Sequence, residues 1–240
     1  MKKQVLFSFL IILSFTAYSQ ERTLWDYPIK PKTEEWKKLE SNKAKVEACQ
    51  LPEHILRDIS TNDLMVLCLQ YPLLYDVFAF NNINNGLQKL FSDFNGIREF
   101  AKREESVNSL QEQYLSEIHS FPDKLNNKVS NLDLGRSMAR ISILELILIY
   151  SDFHNNISKE NQKKVLESLL SGYKEKCKYP EYFGRRGFAT NLFARAHIII
   201  KIDTALLVNF EKENSTVLFS GMAGADLIDT IDSLSYHLIK

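Results

Sequence analysis

Asp76, Asn81, Asn82, Asn85, Arg98 and Glu99 fall in one stretch with Tyr71, Tyr75, Phe78, Phe80 and Phe94. Aromatic walls set with amides, acids and an arginine suit a polar ligand such as a glycan or a peptide. Asp76, Asn81, Asn82, Arg98 and Glu99 are therefore candidate ligand-binding residues. A plainer account also covers them: asparagines cap helix ends while aromatics fill a core.

Glu145, Arg195 and His197 form a second candidate. They sit in the two most apolar stretches of the chain. A lone carboxylate there is costly and needs a partner. Arg195 is the first choice of partner and His197 the second. No nucleophile or second acid accompanies them by motif, so a structural ion pair is expected rather than a catalytic one.

Arg185 and Arg186 lie between glycines and aromatics in Tyr182-Phe183-Gly184-Arg185-Arg186-Gly187-Phe188. Just before a helix N-terminus they could hold a carboxylate or phosphate. A solvated loop is the plainer account. Ser220-Gly221-Met222-Ala223-Gly224 is no nucleophile elbow and lacks the lysine of a phosphate loop. It is expected to start the last helix. The histidines at 54, 119, 154, 197 and 237 show no metal-ligand spacing, so no metal or cofactor is expected. Asn156-Ile157-Ser158 and Asn214-Ser215-Thr216 match a glycosylation sequon, which matters only in a eukaryotic secretory pathway.

Composition bounds the elements that must position these residues. The chain has 240 residues, 45% apolar and 25% charged, as in a globular protein. Thirty basic residues balance thirty acidic ones, without the basic excess of a general nucleic-acid binder. With 8 glycines and 6 prolines, collagen and a turn-dense β-sandwich are excluded.

Lys2 and Lys3 precede an apolar run from Val5 to Ala17, and Ala17-Tyr18-Ser19 supplies small residues at a cleavage site. This is the pattern of a secretory signal peptide over residues 1–19. The run is short for a membrane span. Cleavage before Gln20 leaves 28 basic against 30 acidic residues, a net charge of −2. The expected mature protein is exported, periplasmic or secreted, with no transmembrane span. Export permits disulfides, but Cys49, Cys68 and Cys177 are odd in number. One thiol must stay free or pair between chains, and all three internal pairings are open. Cys68, in an apolar run, is expected to pack as a core residue.

The mature chain reads as helices. Trp36, Leu39, Lys43 and Val46 share one helical face. Pro52 starts a helix, and Ser60-Thr61-Asn62-Asp63 reads as a capping box. Pro72 begins a short helix through Phe80, Asn81-Asn82 breaks it, and Gly86 to Phe94 resumes. Asn95-Gly96 marks a stop or tight joint. Residues 52–118 thus form five or six short helices. Longer helices follow at 131–152, 158–177 and 188–208, the first and last buried. Val165, Leu166, Leu169 and Leu170 face inward, and Leu227, Ile231, Leu234 and Leu238 form a C-terminal stripe. The fold class is all-α: an irregular multi-helix bundle of short N-terminal helices and longer C-terminal helices. Residues 20–240 are expected to form a single domain, with a sub-boundary allowed near 121–131.

The blocks Leu51-Pro52-Glu53, Ser60-Thr61, Tyr71-Pro72-Leu73-Leu74, Ala79-Phe80-Asn81-Asn82 and Phe94-Asn95-Gly96-Ile97-Arg98-Glu99 resemble a pattern in secreted bacterial helical proteins of uncharacterised function. It spans residues 50–115. The resemblance implies a secreted bacterial origin and an all-helical fold, and carries no catalytic residue.

Two functions remain open at this point. One is a non-enzymatic exported protein that binds a cell-envelope component or a partner protein. The other is an exported hydrolase acting on an envelope or dietary polymer through Asp76, Glu99 or Glu145.

Overall fold

The structure is a computed structural model that describes residues 24–150, 157–203, 205 and 224–240. The signal peptide, His154, both sequon asparagines and Ser220 to Ala223 lie outside the described residues.

Every element among the described residues is helical. Hydroxyl and amide caps set the starts of the short helices. Thr33 accepts from Trp36 N at 3.2 Å to open α1 (Glu34–Lys37), and Ser41 accepts from Ala44 N at 3.1 Å to open α2 (Asn42–Ala48). The Ser41 cap divides the continuous face expected from Trp36 to Val46. Pro52 caps α3 (Glu53–Asp58). Ser60 accepts from Asp63 N at 3.1 Å and donates to its carboxylate at 2.8 Å, so α4 (Thr61–Leu69) opens on the expected serine cap, with Asp63 bonded to the Ser60 hydroxyl rather than to its backbone N–H as in a full capping box. After Pro72 the chain makes a 3-10 helix, Leu74–Ala79. Asn82 then accepts from Asn84 N at 2.8 Å to cap α5 (Ile83–Asp93).

The Asn95-Gly96 joint is a corner, with extended Phe94 between α5 and α6 (Asn95–Ala101). Asn95 accepts from Leu51 N at 2.9 Å and donates to Leu51 O at 2.7 Å. Gln50 reciprocates, accepting from Asn95 N at 3.0 Å and donating to Asp93 O at 2.9 Å. These four bonds pair the turn before α3 with the corner of α5 and α6. Leu51 and Asn95, both in the resemblance block, are thereby accounted for as structural residues.

Helix α7 (Ser106–His119) packs against α4 on one side and against α9 (Asn131–Leu148) and α10 (Lys159–Lys176) on another. The stretch read as a loop near 121–131 contains α8 (Phe121–Asn126). Phe121 is fully buried there, against the rings of Tyr179, Tyr182 and Phe183. Helix α11 (Pro180–Ile202), bent at Gly184, packs on α9 and α10. Ile198-Ile199-Ile200 is helical within it, as the surrounding alanines predict. The last helix, α12 (Ala225–Leu238), lies on α10 and α11 with Ile231 inward. Val165, Leu166, Leu169 and Leu170 of α10 are all buried, as expected. Among the described residues no helix is long and apolar enough to cross a membrane.

Candidate functional site

Polar chemistry gathers in a buried network among the long helices, in a surface pocket among the short ones, and around buried Glu117, which pairs with Lys124 at 2.8 Å and Arg140 at 3.1 Å.

The network centres on Glu145, which is fully buried. Its pairing corrects the sequence expectation. The partner is neither Arg195 nor His197 but Lys176, the last residue of α10, whose Nζ lies 2.7 Å from the carboxylate. Tyr114 donates to Oε1 at 2.8 Å and Asn191 at 2.9 Å, while Thr190 donates to Oε2 at 2.6 Å. Four donors thus satisfy both carboxylate oxygens. Lys176 also donates to Gly187 O at 2.6 Å and faces the Phe183 ring at 5.4 Å. Burial pulls its ammonium below the ordinary lysine value, and the Glu145 charge opposes that. Burial, and then the Glu145 charge, push the Tyr114 phenol well up, which keeps it a donor.

Arg195 belongs to the same network one step away. Its Nε donates to Asn191 Oδ1 at 3.0 Å, and Asn191 in turn bonds Glu145. Its ion pair is with Asp232 of α12, at 2.7 Å, and its guanidinium stacks over Tyr173 at 4.3 Å. His197 Nδ1 sits 3.0 Å from Phe193 O, one turn earlier on its own helix. Gly172 makes the Tyr114 contact possible, since a Cβ there would land on the phenol oxygen. The two ion pairs, Glu145–Lys176 and Arg195–Asp232, oppose charge with charge inside the bundle, and Arg195 Nη2 is left buried without a hydrogen-bond partner among the described residues.

The pocket lies between α2, the 3-10 helix and α5, with a volume of about 210 Å³. Val46, Leu73, Val77, Ala79, Phe80 and Leu90 with the Tyr71 ring make its wall, and Asn42, Asp76, Lys89 and Asp93 its polar rim. Gly86 brings α5 close against the carbonyl of Val77, and both residues line the pocket. Lys89 holds Asp93 at 2.7 Å. Asp76 is exposed at the pocket and makes no ion pair or side-chain hydrogen bond with the other described residues. Partial burial raises its carboxyl above the ordinary value, with the Lys45 charge pulling the other way. The Lys45 ammonium itself lies over Trp36, 5.8 Å from the ring centre.

Of the five candidate binding residues, Asp76 alone lines this pocket. Asn82 is the α5 cap, and Asn81 is exposed beside it. Arg98 donates to the carbonyls of Phe91, at 3.3 Å, and Ser92, closing the end of α5. Glu99 lies 3.7 Å from Lys102 and 3.8 Å from Arg103. The expected loop around Arg185 and Arg186 is helical instead: both belong to α11 just after the Gly184 bend, and Arg185 is exposed. Cys49 and Cys68 are buried free thiols, and Cys177 is an exposed one. Burial pushes the Cys49 thiol up to about 11.

Sequence reasoning missed Lys176, because it sits in the charged run Lys174 to Lys178. The polar pair Thr190-Asn191 inside an apolar helix was a usable signal for the network. Nothing in the spacing marked Asn42, Lys89 or Asp93 as neighbours of Asp76. Compared with protein-family models, curated proteins and solved structures, the chain matches none. The resemblance in residues 50–115 therefore rests on its own residues.

Proposed function

We propose that the chain is an exported, non-catalytic helical protein that holds a partner protein or envelope component at the pocket around Asp76. The observation that carries this reading is the inequality among the three candidate acids. Glu145 is saturated by internal donors and closed to solvent. Glu99 is compensated by Lys102 and Arg103. Asp76 alone faces a concave space with its charge uncompensated by direct contact. A glycosidase needs two carboxyl groups across one cleft, and the second acid here, Asp93, is tied to Lys89. That favours binding over hydrolysis. Export is supported by the basic head, apolar run and Ala17-Tyr18-Ser19.

The test is a photo-reactive residue at Phe80, on the pocket wall, in the protein as its own cells export it. Leu132, at 63% exposure, serves as the control position. The reading expects a discrete cross-linked product from position 80 and none from position 132. Equal products from both, or none from either, would contradict it. So would hydrolysis of envelope polymer by the purified protein that is lost in Asp76→Asn.

A further inference from the structure

The pocket is small. Its volume of about 210 Å³ falls below the roughly 300–1,000 Å³ usual for small-molecule sites. That leaves room for one side chain rather than a whole oligosaccharide. Val46, Leu73, Val77, Phe80 and Leu90 make a largely apolar wall, in which Tyr71 and Asn42 carry the uncharged polar groups. On the rim, Lys89 and Asp93 are committed to each other. Asp76 is the remaining charge. Lys45 of α2 acts on it through space, but its ammonium lies over Trp36.

An apolar wall ending in one uncompensated carboxylate is complementary to an alkyl stem ending in a cation. Lysine and arginine side chains have that form: the stem lies on apolar surface while the charged head reaches a polar partner. We propose that the pocket takes one basic side chain of a partner polypeptide, with Asp76 receiving its charged head. This rests on the reading that the pocket is the binding site. Charge complementarity selects a polypeptide over a neutral glycan as occupant.

The test uses the mature protein labelled with nitrogen-15 and three probes at millimolar concentration. These are a blocked Gly-Lys-Gly peptide, the same peptide with norleucine for lysine, and an N-acetylglucosamine disaccharide. Amide shifts at Leu73 to Ala79 and Gly86 to Leu90 report occupancy. The proposal expects the lysine peptide to bind about two- to fivefold more tightly than the norleucine one, the scale of an ion pair to an exposed carboxylate. It expects Asp76→Asn to abolish that difference. Ala79 also lines the pocket, and Ala79→Trp, which adds bulk there, should remove the binding of both peptides. If Asp76→Asn changes nothing but Ala79→Trp abolishes binding, the charge assignment falls and the pocket stands. If neither peptide shifts these amides, both fall. Tighter binding of the disaccharide would overturn the polypeptide assignment. Unchanged amide dispersion in each variant shows that it remains folded.

Discussion

The Lys176 ammonium lies 2.7 Å from the Glu145 carboxylate, with both side chains wholly removed from solvent. Removing one member of such a pair leaves the other charge uncompensated, at about 3–5 kcal/mol. Glu145→Gln and Lys176→Met should each destabilise by about that much. The double variant should cost clearly less than the two singles added together. Urea unfolding of all three checks this, and additive effects would show that the pair is not coupled.

Gly172 faces Tyr114 so closely that any side chain displaces the phenol and, with it, a donor to Glu145. Gly172→Ala should lower stability by at least about 1–3 kcal/mol, the usual cost of overpacking. Tyr114→Phe in the same chain should relieve only part of that, since the ring carbon Cζ would still lie 2.5 Å from the new Cβ. The midpoint of thermal unfolding is the measurement. A neutral Gly172→Ala would contradict the packing of α7 on α10.

Cys177 is exposed, whereas Cys49 and Cys68 are buried, their thiols raised by desolvation. Alkylation of the native protein near pH 8 should add one label, at Cys177, and denaturant should admit all three. Burial and Asp232 also raise the Cys177 thiol, so its reaction should be slower than that of an unhindered thiol. Mass spectrometry counts the labels. Rapid native labelling of Cys49 would contradict the packing of α2.

Asp76 should cost the fold something at neutral pH. Its raised carboxyl means the folded protein keeps that proton to a higher pH than the unfolded chain. Stability contributed by this group therefore falls as pH rises from about 3.9, the unfolded value, through the raised one. Asp76→Asn should match the parent at about pH 3 and exceed it at pH 7. Solvent screening limits the gain to below about 0.5 kcal/mol. Thermal unfolding at the two pH values tests the sign. A less stable Asp76→Asn at pH 7 would mean that the carboxylate stabilises the fold rather than standing ready for a ligand.

The helical plan was legible because each level of the sequence agreed with it. Ser60 and Asp63 announced a cap, and Leu144 and Leu146 announced a buried Glu145. Partner choice was not legible, because it depends on helix register in three dimensions. Lys176 looks solvated in its charged run, yet the crossing of α10 and α11 turns it toward Gly187 and Glu145. Arg195 looked like the natural partner, but Asp232 on α12 reaches it and Asn191 stands between it and the carboxylate. Of the five candidate binding residues, only Asp76 lines the pocket. Arg98 turns back to close α5, and the pocket is completed by Asn42, Lys89 and Asp93 from elements that short-range spacing does not connect.

The central claim is that a partner is held at the pocket while the buried network only supports the fold. Cross-link yield from a photo-reactive residue at position 80 tests it directly, in Ala79→Trp and in Thr190→Val. Thr190→Val removes one donor to Glu145 and should cost about 1 kcal/mol of stability without touching the pocket. The account predicts that the cross-link disappears in Ala79→Trp and persists in Thr190→Val. A cross-link that survives Ala79→Trp, or that is lost in a folded Thr190→Val protein, would contradict it.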